Sequence, residues 1–419
     1  MVHSRWKCLV VFSAVPCGTA MAQQAVERVD REEVVKRIAE DVERLKAQGE
    51  GLNETEAAGA RAPRERGIEL GAGIYGYGYL SAAYVYNLNG PPARRGANFY
   101  RLNDGDHDTF ALPFVQLGLA RDVSGKNELD VGFKAEVGIG RLVERGFQED
   151  GLFDSAGSID LVQAYAAAQV GTPWGLPVTA RVGRMGLTWG NETLDLRRNA
   201  SFSLGLLHTF GPRTLTGVAL DVDLGDGLSY TQYLANGWDR VTDDNDGKTV
   251  AGELVYAVEG LRMRGHWILG AEREGHEGDK RWAVGFDASW SPRLGTDLMF
   301  AGVYGEEEGA DRRDGGRARF GGVSLTAKQG FLYCEADRFH RLGFAVRGEL
   351  FRDQGGSRST EDQTIGSLTA TIEVRPLEPL ALRLEYRRDM SSEDVFTGSQ
   401  RVRARDAQDT FAAELSFSF

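Results

Sequence analysis

The sequence predicts an all-β fold, a transmembrane antiparallel β-barrel of about sixteen strands with a short N-terminal periplasmic helix ahead of it. Three observations predict it. From about residue 68 to Phe419 the chain alternates apolar and polar residues in short segments broken by polar turns, the two-residue period of strands. Isolated charges sit mid-segment opposite a full apolar face, which suits lipid on one side and water on the other. The chain also opens on an export signal and closes on an aromatic strand.

Residues 1–22 read as a signal peptide. Arg5 and Lys7 form a basic end, Cys8–Pro16 an apolar core, and Ala20-Met21-Ala22 a small-x-small cleavage site. The core is too short to cross a membrane as a helix. Cys17 follows Pro16, where a lipidation motif wants a small residue, so cleavage after Ala22 is expected instead. Residues 23–48 read as an amphipathic helix, with Val35, Ile38, Val42 and Leu45 on one stripe. The stripe fits either a short oligomerising coiled coil or a periplasmic helix packed on the barrel base. Residues 49–67 read as a linker and 68–419 as the barrel.

Within the barrel, Leu380, Leu382, Leu384 and Tyr386 face opposite Ala381, Arg383, Glu385 and Arg387. Phe411, Ala413, Leu415, Phe417 and Phe419 share one face of the last segment. Sixteen segments fit, near 70–86, 107–120, 128–139, 158–169, 177–186, 213–223, 227–235, 248–258, 261–271, 281–290, 294–304, 317–327, 338–352, 364–374, 378–388 and 406–418. A barrel of this class takes an even number, and fourteen or eighteen also fit the segmentation. Long and short connections alternate only if 187–212 is one long loop, so Gly190–Pro212 reads as a loop whose apolar middle (201–210) folds into the lumen as a constriction; the alternative is that 201–210 belongs to a further strand pair and another boundary is misplaced. A soluble sandwich also alternates, but would bury the Leu382/Leu384 side against a second sheet.

Composition narrows the function. The net charge of −12 excludes a nucleic-acid partner, which needs a basic surface. Of three cysteines, only Cys334 lies beyond the leader, so neither an intrachain disulfide nor a cysteine-based metal site is expected. The chain contains no G-x-S-x-G, H-E-x-x-H or P-loop pattern, so no enzyme and no cofactor are expected. The run Asp239, Asp243, Asp244, Asn245, Asp246 reads as solvated loop acids rather than a calcium loop, because Thr242 stands at the first ligand position. Tyr84, Tyr86, Trp174, Trp189, Trp267, Trp290 and Tyr386 are expected in interfacial girdles.

The candidate pore-lining charges are Arg181, Arg184, Arg262, Arg264, Arg347, Arg383, Arg387, Glu136, Glu349, Glu373 and Glu385, with Glu253 and Glu414 beside them. On the lipid face a basic residue would cost about 2–4 kcal/mol near the midplane, whereas in a wet lumen it is cheap. Two roles stay open for them. They create a transverse field that favours small polar solutes, or they pair across strands and brace the wall. Arg184 breaks its strand's alternation, which a bulge or an aim toward a groove would resolve.

Several stretches resemble, in order, the beta-barrel porin-2 (OmpL-like) family of bacterial outer-membrane proteins. They include YVYNLNGPP (84–92), NFYRLNDGDHDTF (98–110), FALPFVQLGLARDV (110–123), VTARVGRMGLTWGNE (178–192), NASFSLGLLHTFGPRTLTGV (199–218), YLANGWDRVTDDNDGKT (233–249) and LRLEYRRDMSSEDVF (382–396). The resemblance spans roughly 68–419, and the helix at 23–48 is an addition to it. Arg184 stands where the family carries a lysine. The resemblance implies a porin in the outer membrane of a Gram-negative bacterium, passing small polar solutes or ions by passive diffusion. The alternative is a structural or adhesive barrel with an occluded lumen. The implied partners are outer-membrane lipid and lipopolysaccharide, the insertion machinery reading Phe419 and, by analogy, two further copies in a homotrimer.

Overall fold

A computed structural model describes residues 67–92, 97–123, 130–147, 157–171, 175–243, 245–334, 339–399 and 404–419. All belong to one unit, Ala58–Phe419. The expected leader 1–22, the helix 23–48, the linker up to residue 66 and Trp174 lie outside the described residues.

The expected segments form strands β1 (Ile68–Gly71), β2 (Ile74–Asn87), β3 (Thr109–Arg121), β4 (Asp130–Ile139), β5 (Ile159–Gly171), β6 (Pro177–Gly186), β7 (Thr214–Gly225), β8 (Leu228–Ala235), β9 (Thr249–Val258) and β10 (Leu261–Ala271). They continue with β11 (Lys280–Arg293), β12 (Thr296–Glu307), β13 (Ala318–Cys334), β14 (Phe339–Gln354), β15 (Gln363–Leu377) and β16 (Leu380–Ser391). Next come β17 (Phe396–Thr397), β18 (Ala404–Arg405) and β19 (Ala407–Ser418). From β2 to β16 each strand pairs antiparallel with the next, and β19 joins β16 to β2, closing a ring of sixteen. The ring is closed because an open edge in lipid would strand backbone groups without partners.

The chain ends are tied at the seam. The backbone N–H and C=O of Phe419 each bond Gly78 at 3.1 Å. Just past that point β1 takes over the same edge of β2, pairing Ile68 with Gly76. The pair β17–β18 makes a small separate hairpin in the last long connection.

Alternation sorts the wall as expected. Leu382 and Leu384 are 38% and 49% exposed on the outer face, which excludes the sandwich. Arg383 and Glu385, their neighbours, point inward and are buried. On one rim the connections are as short as 226–227 and 259–260. Asp226 and Gly227 both adopt positive φ (50° and 76°), the twist a two-residue hairpin needs. On the other rim lie the described parts of the long connections 88–108, 140–158, 187–213, 236–248, 272–279, 308–317, 355–362 and 392–406. In barrels of this kind that rim is external.

Candidate functional site

The connection 187–213 folds into the barrel, as its apolar middle predicts. Phe202, Leu204 and Leu206 are at most 2% exposed, and each such burial is worth roughly 1.5–3 kcal/mol. Two short turns organise it. Asp195 caps the 3₁₀ turn Leu196–Arg198 by accepting from the Arg197 N–H. The helix Leu206–Phe210 lays Phe210 against Phe351 of β14, ring centroids 4.6 Å apart. Trp189 is a correction: it sits inside at 4% exposure, its ring 4.1 Å from that of His266, because it belongs to this loop and not to a girdle. Trp267 and Trp290 are exposed on the outer wall as expected.

Many of the inward charges meet the loop backbone. Glu385 accepts from the N–H groups of Phe202 (2.7 Å) and Ser203 (3.1 Å). Glu349 accepts from Leu206 N–H at 2.9 Å. Arg347 donates to the Ser203 carbonyl (2.8 Å) and pairs with Glu192. Arg387 donates to the Leu204 carbonyl at 2.7 Å, and Arg383 reaches the Asn199 carbonyl at 3.4 Å. Arg264 donates to the Gly190 carbonyl at 2.7 Å while pairing with Asp287. A loop without strand partners leaves backbone groups to satisfy, and here wall carboxylates and guanidiniums satisfy them.

The remaining candidates do other work. Glu373 pairs with Arg383 (2.7 Å) and Arg375 (2.8 Å). Glu136 accepts from the Tyr77 hydroxyl and pairs with Lys134 at 3.0 Å. Arg181 holds Asp221 through two 2.6 Å bonds. Arg184 is buried and bonds Asp160 (2.7 Å) and the Leu161 carbonyl (2.8 Å). No register shift interrupts β6 beside Arg184. Instead Gly183 adopts φ +136°, and a Cβ there would meet the Ala164 carbonyl oxygen at 2.1 Å. Arg262 is exposed.

Sequence reasoning missed the part played by the first long connection. Asn103, buried in that connection, clamps the inward loop: its amide donates to the Phe202 carbonyl and its oxygen accepts from Leu204 N–H. Arg101, buried, bridges Asp104 and Asp389. Strand periodicity carries no signal for such contacts; an arginine among Asn and Asp in a long connection is the only hint.

The loop backbone is therefore held mostly by β14 and β16, with Arg264 of β10 at its start, and its apolar side chains share a core with residues of β7–β14. On the β4–β10 side Lys134, Arg181, Asp221 and Glu253 stay partly exposed, and Arg198 of the loop is 39% exposed. Among the described residues no group of acids, histidines and cysteines could hold a metal. Asp239 accepts from the N–H groups of Arg213 and Thr214, and Asp243 pairs with Lys248.

A family model described as "Putative beta-barrel porin-2, OmpL-like" matches residues 73–419. No curated protein matches the chain by sequence. Among solved structures, an anion-selective porin from Comamonas acidovorans superposes with a TM-score of 0.55 at 13% identity, over 83% of this chain and 99% of that one. The outer membrane channel DcaP of Acinetobacter baumannii gives 0.55 at 14%, over 85% and 100%. In-vitro folded OmpT of Vibrio cholerae, in trimer form, gives 0.53 at 7%, over 83% and 99%. At these identities the likeness is one of fold. With the match over most of its length, the chain belongs to this OmpL-like family of beta-barrel porins.

Proposed function

We propose that small polar solutes diffuse through this barrel along the β4–β10 side of the lumen, past the inward loop. One observation carries the reading. The inward charges divide into a set buried under the loop, such as Arg347, Arg383 and Arg387, each at most 2% exposed, and a set left at water, including Arg181, Asp221, Glu253 and Arg262. A sixteen-stranded wall is wide enough to hold both a folded loop and an aqueous path. The sequence-predicted charges thus serve two roles, with Arg262 and Arg181 on the path and the buried arginines as anchors for the loop.

The same buried set favours the second reading, a barrel occluded by its loop. Planar-bilayer conductance of the purified protein separates them. Stepwise openings support the path; a silent membrane with correctly folded protein supports the plug.

The partners follow from the faces. The apolar outer wall meets lipid, and the long-loop rim meets lipopolysaccharide. The last strand, with Phe411, Leu415 and Phe417 exposed beside Phe419, offers an aromatic edge to the insertion machinery. A homotrimer is the assembly we favour, since OmpT of Vibrio cholerae, similar in fold, is described in a trimer form.

A further inference from the structure

Above the inward loop, on the long-loop rim, lies a cavity of about 390 Å³. Arg145, Arg213, Arg240, Arg281 and Arg358 line it, against two carboxylates, Asp239 and Glu272. Two of the arginines brace the cavity walls. Arg213 donates to the Gly146 and Thr209 carbonyls and pairs with Asp239 at 3.0 Å. Arg145 donates to the Arg101 carbonyl at 2.9 Å.

Arg281 and Arg358 are held differently. Both pair with one carboxylate, Glu307. Glu272 stands 3.9 Å from Arg281, too long for a hydrogen bond. Both guanidiniums lie over the Trp238 ring, at 5.1 and 5.3 Å, and neither Nε has an acceptor. Burial, and then the charge of Arg281, hold Arg358 below the usual arginine range. Glu272 still acts on Arg281 and Asp353 on Arg358 through space, yet both Nε donors stay without an acceptor and five arginines line the cavity against two carboxylates, so an entering anion would find both spare donors and an excess of positive charge.

We propose that this cavity is an entry site for small oxyanionic solutes, held through a phosphate or carboxylate group by Arg281 and Arg358 beside Trp238. The planar guanidinium fork matches both groups, and a cleft where one sign of charge predominates concentrates its counter-ion at the mouth. A neutral solute gains nothing from the pair, and a cation is repelled. The inference rests on the channel reading for its purpose, though not for its chemistry.

The test uses the full chain in planar bilayers. Glucose 6-phosphate, malonate or glucose is added on the long-loop side in potassium chloride. Both anions are expected to interrupt the current and glucose to leave it unchanged. The single variants Arg281→Gln and Arg358→Gln, each leaving one partner for Glu307, raise the half-blocking concentration at least tenfold. Arg388→Gln, on the outer wall, changes nothing. Block by only one anion assigns the site to phosphate or to carboxylate groups. Equal block by glucose, or undiminished block in both variants, overturns the proposal. A protein that never conducts would refute the channel reading alone. Calorimetric titration with glucose 6-phosphate in detergent then decides the site: heat in the wild type that the variants lose upholds it, and no heat overturns it.

Discussion

At the scale of single residues, the inward charges act mainly on backbone. Glu385 receives two N–H groups of the loop and a third bond from Thr371 Oγ1 at 2.8 Å. Glu385→Ala leaves both N–H groups buried without an acceptor, a loss of about 3 kcal/mol. The expected result is a lower urea midpoint and a noisier, larger single-channel current; unchanged stability and conductance would show that the loop does not depend on this carboxylate. His208 gives the pH counterpart. Burial, against the charges of Glu192 and Asp239, pushes its imidazole down to about 4. Unfolded, it titrates near 6.5. Above 6.5 both states are neutral and the loop keeps its full stability. As pH falls from 6.5 toward 4 the unfolded segment binds the proton first, so roughly 3 kcal/mol is lost across that window. The protection factors of the amides at 201–212, with the intrinsic pH dependence of exchange divided out, should therefore fall between pH 6.5 and 4 in the wild type, and His208→Phe should keep them level.

At the scale of elements, strands were legible and contacts between loops were not. Leu382/Leu384 against Arg383/Glu385 states which face meets lipid, because one misplaced arginine would cost as much as several good contacts. The inward course of 187–213 was also legible, since Phe202, Leu204 and Leu206 have nowhere else to be buried. What partners that loop was not, because Asn103 lies about a hundred residues away and carries no period. Trp189 misled for a related reason: a tryptophan just past a strand end reads as interfacial until the loop's direction is known. Gly183 shows a backbone demand that alternation hides. Its φ of +136° and the 2.1 Å approach of the Ala164 carbonyl leave no room for a Cβ. Gly183→Ala should part β5 from β6 and free Arg184 from Asp160. The heat-modifiable band of the folded barrel on an unboiled gel should weaken, and a band of wild-type intensity would show that β6 tolerates the side chain.

At the scale of the whole molecule, net charge and selectivity separate. The chain is acidic at −12, yet an ion in the lumen feels only charges within about a Debye length, roughly 10 Å at 0.1 M salt. Charges that are buried and paired, such as Arg347 with Glu192 and Glu349 or Arg383 with Glu373 and Glu414, cancel locally. What an ion meets is the exposed set. There Asp221 is bound to Arg181 and Glu253 lies 3.4 Å from Arg264, while Arg262 is exposed on β10 and Arg198, which shares Asp195 with Arg197, is 39% exposed on the loop, near enough for the charges of Arg198 and Arg262 to act on each other. An acidic protein should thus carry an anion-preferring path. In a tenfold potassium chloride gradient the reversal potential should take the sign of chloride preference, and the double variant Arg198→Glu/Arg262→Glu should move it to the potassium side. Arg184→Gln, which removes a buried arginine, should leave it in place. Potassium preference in the wild type, or an equal displacement by Arg184→Gln, would mean that selectivity follows total charge rather than the few groups the loop leaves at water.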